Sequence, residues 1–158
     1  ISEETAYQIT SILEGAIQRG TGKKLRDLRV PLAGKTGTTN NNYDAWFIGY
    51  SSNLVIGVYV GFDNPRSLGK YETGSKAALP IFKDFVKNAL YEEDFKNFPI
   101  PSNIYFAPID YDTGKIDNFA NKKTIIESFK LQDMNNLKNN ALDNSVSYDK
   151  LIKFRQFY

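Results

Sequence analysis

Ala6, Ile9, Ile12, Leu13, Ala16 and Ile17 recur at intervals of three and four between Glu3 and Arg19, the period that gathers apolar side chains on one face of an α-helix. Ser2 stands where a hydroxyl can cap the first free amides, and Gly20 where the helix can end. Gly20, Thr21 and Gly22 make a flexible turn within Arg19 to Lys24, and Val30 and Leu32 open an extended segment running through Gly34 to Thr39. Asn40, Asn41 and Asn42 reverse the chain, and Ala45 to Tyr50 follows as an aromatic-rich run suited to a pleated surface. A second reversal at Ser51, Ser52 and Asn53 leads into Leu54 to Phe62, nearly all Val, Ile and aromatic, which predicts a strand buried on both faces.

Pro65, Gly69 and Gly74 mark Asp63 to Gly74 as a surface loop. Helical spacing returns at Ala78, Ile81, Phe82, Phe85, Val86, Ala89 and Leu90, so a helix is expected to cover the sheet, with Pro80 near its start or at a kink. After Tyr91 the pattern changes. Pro99, Pro101 and Pro108 punctuate an extended stretch, Asp112 to Lys115 suits a hairpin turn, and Ile125 to Phe129 a short strand. From Gln132 to Tyr148 asparagine is abundant and apolar residues are sparse, which predicts weak order or a loosely docked helix. The expected division is a domain over residues 1–92 and a C-terminal extension over residues 93–158.

Composition narrows the chemistry. A chain of 158 residues with 41% hydrophobic and 14% aromatic content can bury one globular core. The net charge of +2 comes from nearly balanced acids and bases, which disfavours a nucleic-acid partner. With no cysteine and no histidine, thiolate nucleophiles, Ser-His-Asp triads, disulfide frameworks and the usual zinc sites are excluded. Nucleophilic chemistry would need lysine as its base. The chain begins at Ile1 without methionine, carries no charged-then-apolar leader and no apolar run long enough to span a bilayer, and so reads as an excised piece.

The first extended segment carries Lys35-Thr36-Gly37-Thr38-Thr39 directly after Leu32-Ala33-Gly34. It resembles the Lys-Thr-Gly-Thr motif of serine acyl-transferases that recognise penicillin. Around it, Gln18 to Gly22, Tyr43 to Tyr50, Val58 to Asp63, Glu72-Thr73-Gly74 and Ala78 to Phe82 resemble the class A, bifunctional penicillin-binding proteins of the 1A type. The likeness is close over Ile1 to Leu90. It is looser over Asn103 to Lys130, where Asp110 to Gly114 matches the Asp-x-x-Thr-Gly turn that follows the domain in that family, and Gln132 to Tyr158 matches nothing recognised.

The motif also has a physical reading. Gly37 leaves the strand bare, so an extended peptide can lie against its backbone as an added strand. The hydroxyls of Thr36 and Thr38 and the Lys35 ammonium can supply donors to that peptide's carboxylate in a partly desolvated cleft. The resemblance adds that Lys35 and Thr38 are catalytic and that Lys35, Thr36, Gly37 and Thr38 bind substrate, with the Thr38 amide as one of two oxyanion donors. It implies an α/β (α+β) fold, a partial transpeptidase domain with an antiparallel three-stranded sheet packed by helices and an irregular C-terminal tail. The implied parent is a peptidoglycan synthase with an upstream glycosyltransferase domain. It would cross-link D-Ala-D-Ala stem peptides through an acyl-serine, bind β-lactams, and work at the periplasmic face of the cytoplasmic membrane through an N-terminal anchor outside this chain. No cofactor and no metal is implied. The alternatives are a D,D-carboxypeptidase or serine β-lactamase of the same fold, or a non-catalytic peptide-binding or sensor module.

The family's Ser-x-x-Lys nucleophile and Ser-x-Asn element lie upstream of Lys-Thr-Gly, and residues 1–34 contain neither. The chain alone is therefore expected to be inactive. Ser67 to Lys70, Ser147 to Lys150 and Ser51 to Asn53 match by pattern only. Serine and lysine must share one helical face for proton transfer, whereas Ser67 sits in a loop, Ser147 in the weakly ordered tail and Ser51 in a turn. Gly34-Lys35-Thr36 is not a phosphate loop, since position 29 is arginine and Thr38 to Asn42 breaks any helix. Trp46, Phe47, Tyr50, Tyr59 and Phe62 are read as core rather than a stacking platform, Asp44 as an Asx-turn or ion pair, and Lys23, Lys24, Arg26 and Arg29 as a solvated loop. Finally, Leu54 to Phe62 is expected to expose one edge. Ile104 to Ile109, Ile125 to Phe129 or the same edge of a second molecule could cover it, and the last, a homodimer, is favoured.

Overall fold

The computed structural model describes residues 1–91, 94–117 and 123–133. These form two compact units: one holds Ile1–Ile9 and the residues from Ile100 on, the other Thr10–Pro99. Helix α1, Glu3–Gln18, contributes to both. Its start is capped as expected, the Thr5 amide donating to Ser2 Oγ at 3.3 Å.

The unit Thr10–Pro99 is built on an antiparallel sheet of β1 (Ala33–Thr38), β2 (Ala45–Tyr50) and β3 (Val55–Val60), in that spatial order. Register is continuous across it, Gly37 opposite Trp46 and Trp46 opposite Tyr59. The Asn40–Asn42 reversal works because Asn41 and Asn42 adopt left-handed φ values of 59° and 55°, which asparagine tolerates. Helix α2, Ala78–Ala89, packs on β2 and β3 with Pro80 in its first turn, where a missing amide costs no helical bond. Phe47 and Phe82 meet edge-on at 4.7 Å between centroids at the centre of a core that includes Ile17, Leu25, Leu32, Leu79 and Val86. Burying each of these rings stabilises the unit by about 2–3 kcal/mol.

Four expectations need correction. The strand Leu54 to Phe62 is not buried on both faces: β3 alternates, with Ile56, Val58 and Val60 half-buried against the core and Val55, 69% exposed, and Tyr59, 50% exposed, on the other side. With one face of the sheet uncovered by the described residues, two-sided apolar composition does not translate into two-sided burial. Of the aromatics read as core, only Phe47 is buried; Tyr50 is half-buried, and Trp46, Tyr59 and Phe62 are exposed. Trp46 and Tyr59 stack on each other at 4.7 Å instead, and the Arg66 guanidinium lies 3.8 Å over Phe62. On the helices, Ile9, Ile12, Ile81 and Phe85 fall outside the buried stripe. Lastly, Lys23, Lys24, Arg26 and Arg29 are exposed as expected of a solvated loop, but Lys23–Leu28 is a 3₁₀ helix anchored by buried Leu25.

In the other unit β4 (Ile104–Asp110) pairs antiparallel with β5 (Thr124–Lys130). Tyr7 of α1 meets Phe106 edge-on, and the Lys130 ammonium donates to Thr5 Oγ1 at 2.7 Å. The Asp110 to Gly114 turn is held by Asp110 Oδ1, which accepts from the Asp112 and Thr113 amides and the Thr113 hydroxyl, while Gly114 takes φ 69°. The segments Ile104 to Ile109 and Ile125 to Phe129 thus pair with one another, and among the described residues β3 has β2 as its sole strand neighbour. Glu92, Glu93, residues 118–122 and everything after Asp133, including Ser147 to Lys150, lie outside the described residues.

Candidate functional site

β1 is an edge strand, joined to β2 alone among the described residues, and it carries Lys35, Thr36, Gly37 and Thr38. The Thr39 amide donates to the Asp44 carbonyl across the β1–β2 turn at 3.1 Å. Opposed residues of an antiparallel ladder alternate between exchanging backbone bonds and not, so counting back from Thr39 turns the amides of Thr38 and Thr36 away from β2 and those of Gly37 and Lys35 toward it.

Side chains alternate as well. Lys35 and Gly37 share a face with Trp46, Ile48 and Tyr59, the uncovered face of the sheet, because each pairs across the ladder with a member of that row. Gly37 keeps that face low: a Cβ there would stand 3.2 Å from the Trp46 Cβ. Thr36 and Thr38 point the other way, and both hydroxyls are engaged within the chain. Thr36 shares a 2.8 Å hydrogen bond with the Thr21 hydroxyl, and Thr38 Oγ1 accepts from the Gly74 amide at 3.0 Å. The Lys35 ammonium lies along its own strand, donating to the Thr36 carbonyl at 3.0 Å and Oγ1 at 3.4 Å.

Lys35, Thr36, Gly37 and Thr38 therefore sit on one edge but not on one face. The partly desolvated cleft expected around them is not formed by the described residues, where Lys35 and Thr38 are exposed. Asp44, read as an Asx-turn or ion pair, instead receives two hydroxyls, from Tyr59 at 2.9 Å and Thr39 at 3.2 Å, and its hydrogen bond holds the Tyr59 phenol above its usual range. Ser67 lies in a loop, tied to the Asn41 carbonyl at 2.8 Å, and Ser51 in the β2–β3 turn, donating to Asn53 at 2.8 Å. Neither has a lysine on a shared helical face.

Two site-supporting residues escaped the reading of individual positions: Thr21, which holds Thr36, and Gly74, which holds Thr38. Both fall in segments singled out by the resemblance, Gln18 to Gly22 and Glu72 to Gly74, so the signal was there as linkage without a stated role. Gly74 is buried against the sheet, and any Cβ would collide with the carbonyl oxygens of Trp46 and Gly37. The turn before α2 can seat on β1 and β2 only as glycine.

A sequence profile described as the penicillin binding protein transpeptidase domain matches residues 1–87, more than half of the chain. The chain belongs to the penicillin-binding protein transpeptidase domain family. Its similarity to curated members runs further than that profile. It is 43% identical to penicillin-binding protein 1A of Rickettsia conorii over 148 residues, covering 93% of this chain and 18% of that protein. It is 42% identical to penicillin-binding protein 1A of Pseudomonas aeruginosa over 134 residues, 84% of this chain and 16% of that one. Among solved structures, penicillin-binding protein 1A from Haemophilus influenzae superposes with a TM-score of 0.72 at 34% identity over 82% of this chain and 20% of that one. The chain thus spans less than a fifth of the length of the curated relatives it matches. The three-stranded antiparallel sheet with its helices is the part of the transpeptidase fold that carries the Lys-Thr-Gly strand.

Proposed function

We propose that this chain supplies the substrate-aligning strand of a serine transpeptidase that cross-links peptidoglycan stem peptides and is acylated by β-lactams. The observation that carries the reading is the free edge of β1, with the Thr38 amide turned outward from the sheet beside the bare backbone of Gly37. A peptide ending in D-Ala-D-Ala would add to this edge as a strand, its carboxylate near the Lys35 ammonium and its scissile carbonyl oxygen near the Thr38 amide. The hydroxyls of Thr36 and Thr38 would act mainly by fixing the edge, through Thr21 and Gly74, rather than as free donors. An amide in the oxyanion position is worth about 3 kcal/mol of transition-state stabilisation.

The nucleophilic serine and its lysine base would come from sequence outside this chain, as would the glycosyltransferase domain and membrane anchor of a periplasmic, bifunctional synthase. The free edge of β3 would then pair with a strand from outside this sequence or, in the isolated chain, with its own copy in a homodimer. Incubation with a fluorescent penicillin tests the reading. The chain alone should acquire no adduct by intact mass, and a protein containing this segment with its upstream sequence should acquire one. In that longer protein, Lys35→Ala and Thr38→Pro should slow acylation while the domain remains folded, Thr38→Pro by about a hundredfold. Stoichiometric acylation of the isolated chain, or unchanged acylation in a folded Thr38→Pro protein, refutes the assignment.

A further inference from the structure

Away from β1, the 3₁₀ helix Lys23–Leu28 and the first turns of α2 border a shallow surface cavity of about 680 Å³, open to solvent. Half-buried Pro80 is its accessible apolar surface, with fully buried Leu79 beneath, and its rim is strongly cationic. Lys23, Lys24, Arg26, Arg29 and Lys83 line it with a single carboxylate, Asp27. That carboxylate is already paired, with Lys83 at 2.6 Å, and Lys24 Nζ reaches the Ser75 carbonyl at 3.4 Å. Neither contact involves Lys23, Arg26 or Arg29, which line the same hollow in a chain whose whole net charge is only +2.

The backbone sharpens the observation. Arg29 caps the 3₁₀ helix at φ 57° and ψ 33°, its amide on the Arg26 carbonyl at 3.3 Å. This is the left-handed position where glycine is the unstrained residue. An arginine held there carries a conformational cost, and like charges lining one hollow repel one another.

We propose that this cavity binds a phosphate group carried by an organic ligand. The two guanidiniums offer paired donors that match phosphate oxygens, the lysine adds a point charge, and the half-buried Pro80 ring offers an apolar contact to the ester carbons. The proposal is independent of the role assigned to β1.

Isothermal titration calorimetry of the whole chain with pyrophosphate tests it, together with sedimentation on phosphatidylglycerol–phosphatidylcholine vesicles and a poly-glutamate arm. Saturable pyrophosphate binding that weakens roughly tenfold in Arg26→Gln and in Arg29→Gly, and weakens further with added salt, is expected. Lys96→Gln, outside the cavity, should bind as the parent chain does. Arg29→Gly relieves the left-handed strain while removing the charge, so its melting temperature should hold or rise as its affinity falls, which separates lost binding from lost folding. Vesicle binding that pyrophosphate competes away supports the proposal with a lipid headgroup as the source, and pyrophosphate binding without vesicle binding supports it with a soluble phosphorylated ligand. No binding in either arm, binding indifferent to both arginine variants, or tighter binding of poly-glutamate lost in the same variants overturns it.

Discussion

Gly74→Ala adds one methyl group at the place where the turn before α2 meets the sheet. The new Cβ would strike the Trp46 carbonyl oxygen, stand 2.5 Å from the Gly37 carbonyl oxygen and 3.2 Å from the Gly37 nitrogen. All three are backbone atoms of a paired ladder, so the turn must give way. Overpacking of that kind costs about 1–3 kcal/mol. Lifting the turn also stretches the 3.0 Å bond from the Gly74 amide to Thr38 Oγ1, a loss of about 1 kcal/mol. Against this, alanine restricts the unfolded chain and returns about 0.5 kcal/mol. The net expectation is about 2 kcal/mol of destabilisation, which for the Thr10–Pro99 unit lowers the melting temperature by roughly 10 °C. Thermal unfolding followed by circular dichroism reads this directly. Gly57→Ala is the matched control, because a Cβ there meets nothing within 4 Å and should leave the melting temperature unchanged or slightly raised. A Gly74→Ala chain that melts within about 2 °C of the parent would mean that the turn is not seated on Gly37 and Trp46.

Other outcomes follow from the core and the helix. Phe82→Ala removes the ring that meets Phe47 edge-on and should cost about 3–5 kcal/mol in urea unfolding; a loss below about 1 kcal/mol would contradict its central place. Burial pushes the Glu14 carboxyl up to about 7 from its ordinary 4.5, so ionisation is disfavoured in the folded state. The stability tied to the protonated acid is complete below about pH 4.5 and is lost as pH rises through about 7, by about 1–2 kcal/mol once its partial solvent access is allowed for. Glu14→Gln should flatten that segment of a urea-midpoint profile, and an unchanged slope would place the pH dependence elsewhere.

Much of the fold was legible because local signals agreed. Ala45 to Tyr50 was bounded by two reversals rich in asparagine and serine, and it is β2 to the residue. Pro80, the Asp110 to Gly114 turn and the strand around Ile125 to Phe129 likewise carried their own chemistry of turn and start. What misled was the assumption that apolar means covered. Trp46 and Tyr59 have the composition of a core, yet they bury part of their area against each other on a face that the described residues leave open, and no periodicity records whether a second layer is present. The 3₁₀ helix was hidden for the opposite reason: Leu25 and Leu28 among charges make too short a pattern to register as a period. At the edge strand, the identity of the motif was plain, but the partners of its hydroxyls were not, since Thr21 and Gly74 lie 15 and 36 residues from the threonines they hold.

Because Thr36 is tied back to Thr21 and Thr38 forward to Gly74, the four-residue motif is not portable. Transplanted by itself onto the edge of another sheet, Lys-Thr-Gly-Thr would bring an ammonium and a bare glycine face, but two hydroxyls without their tethers and a strand free to twist away from its register. A working graft needs the loop after α1 and the turn before α2 as well, so the smallest exchangeable part is the whole stretch from Gly20 to Ser75 rather than the strand that gives the motif its name.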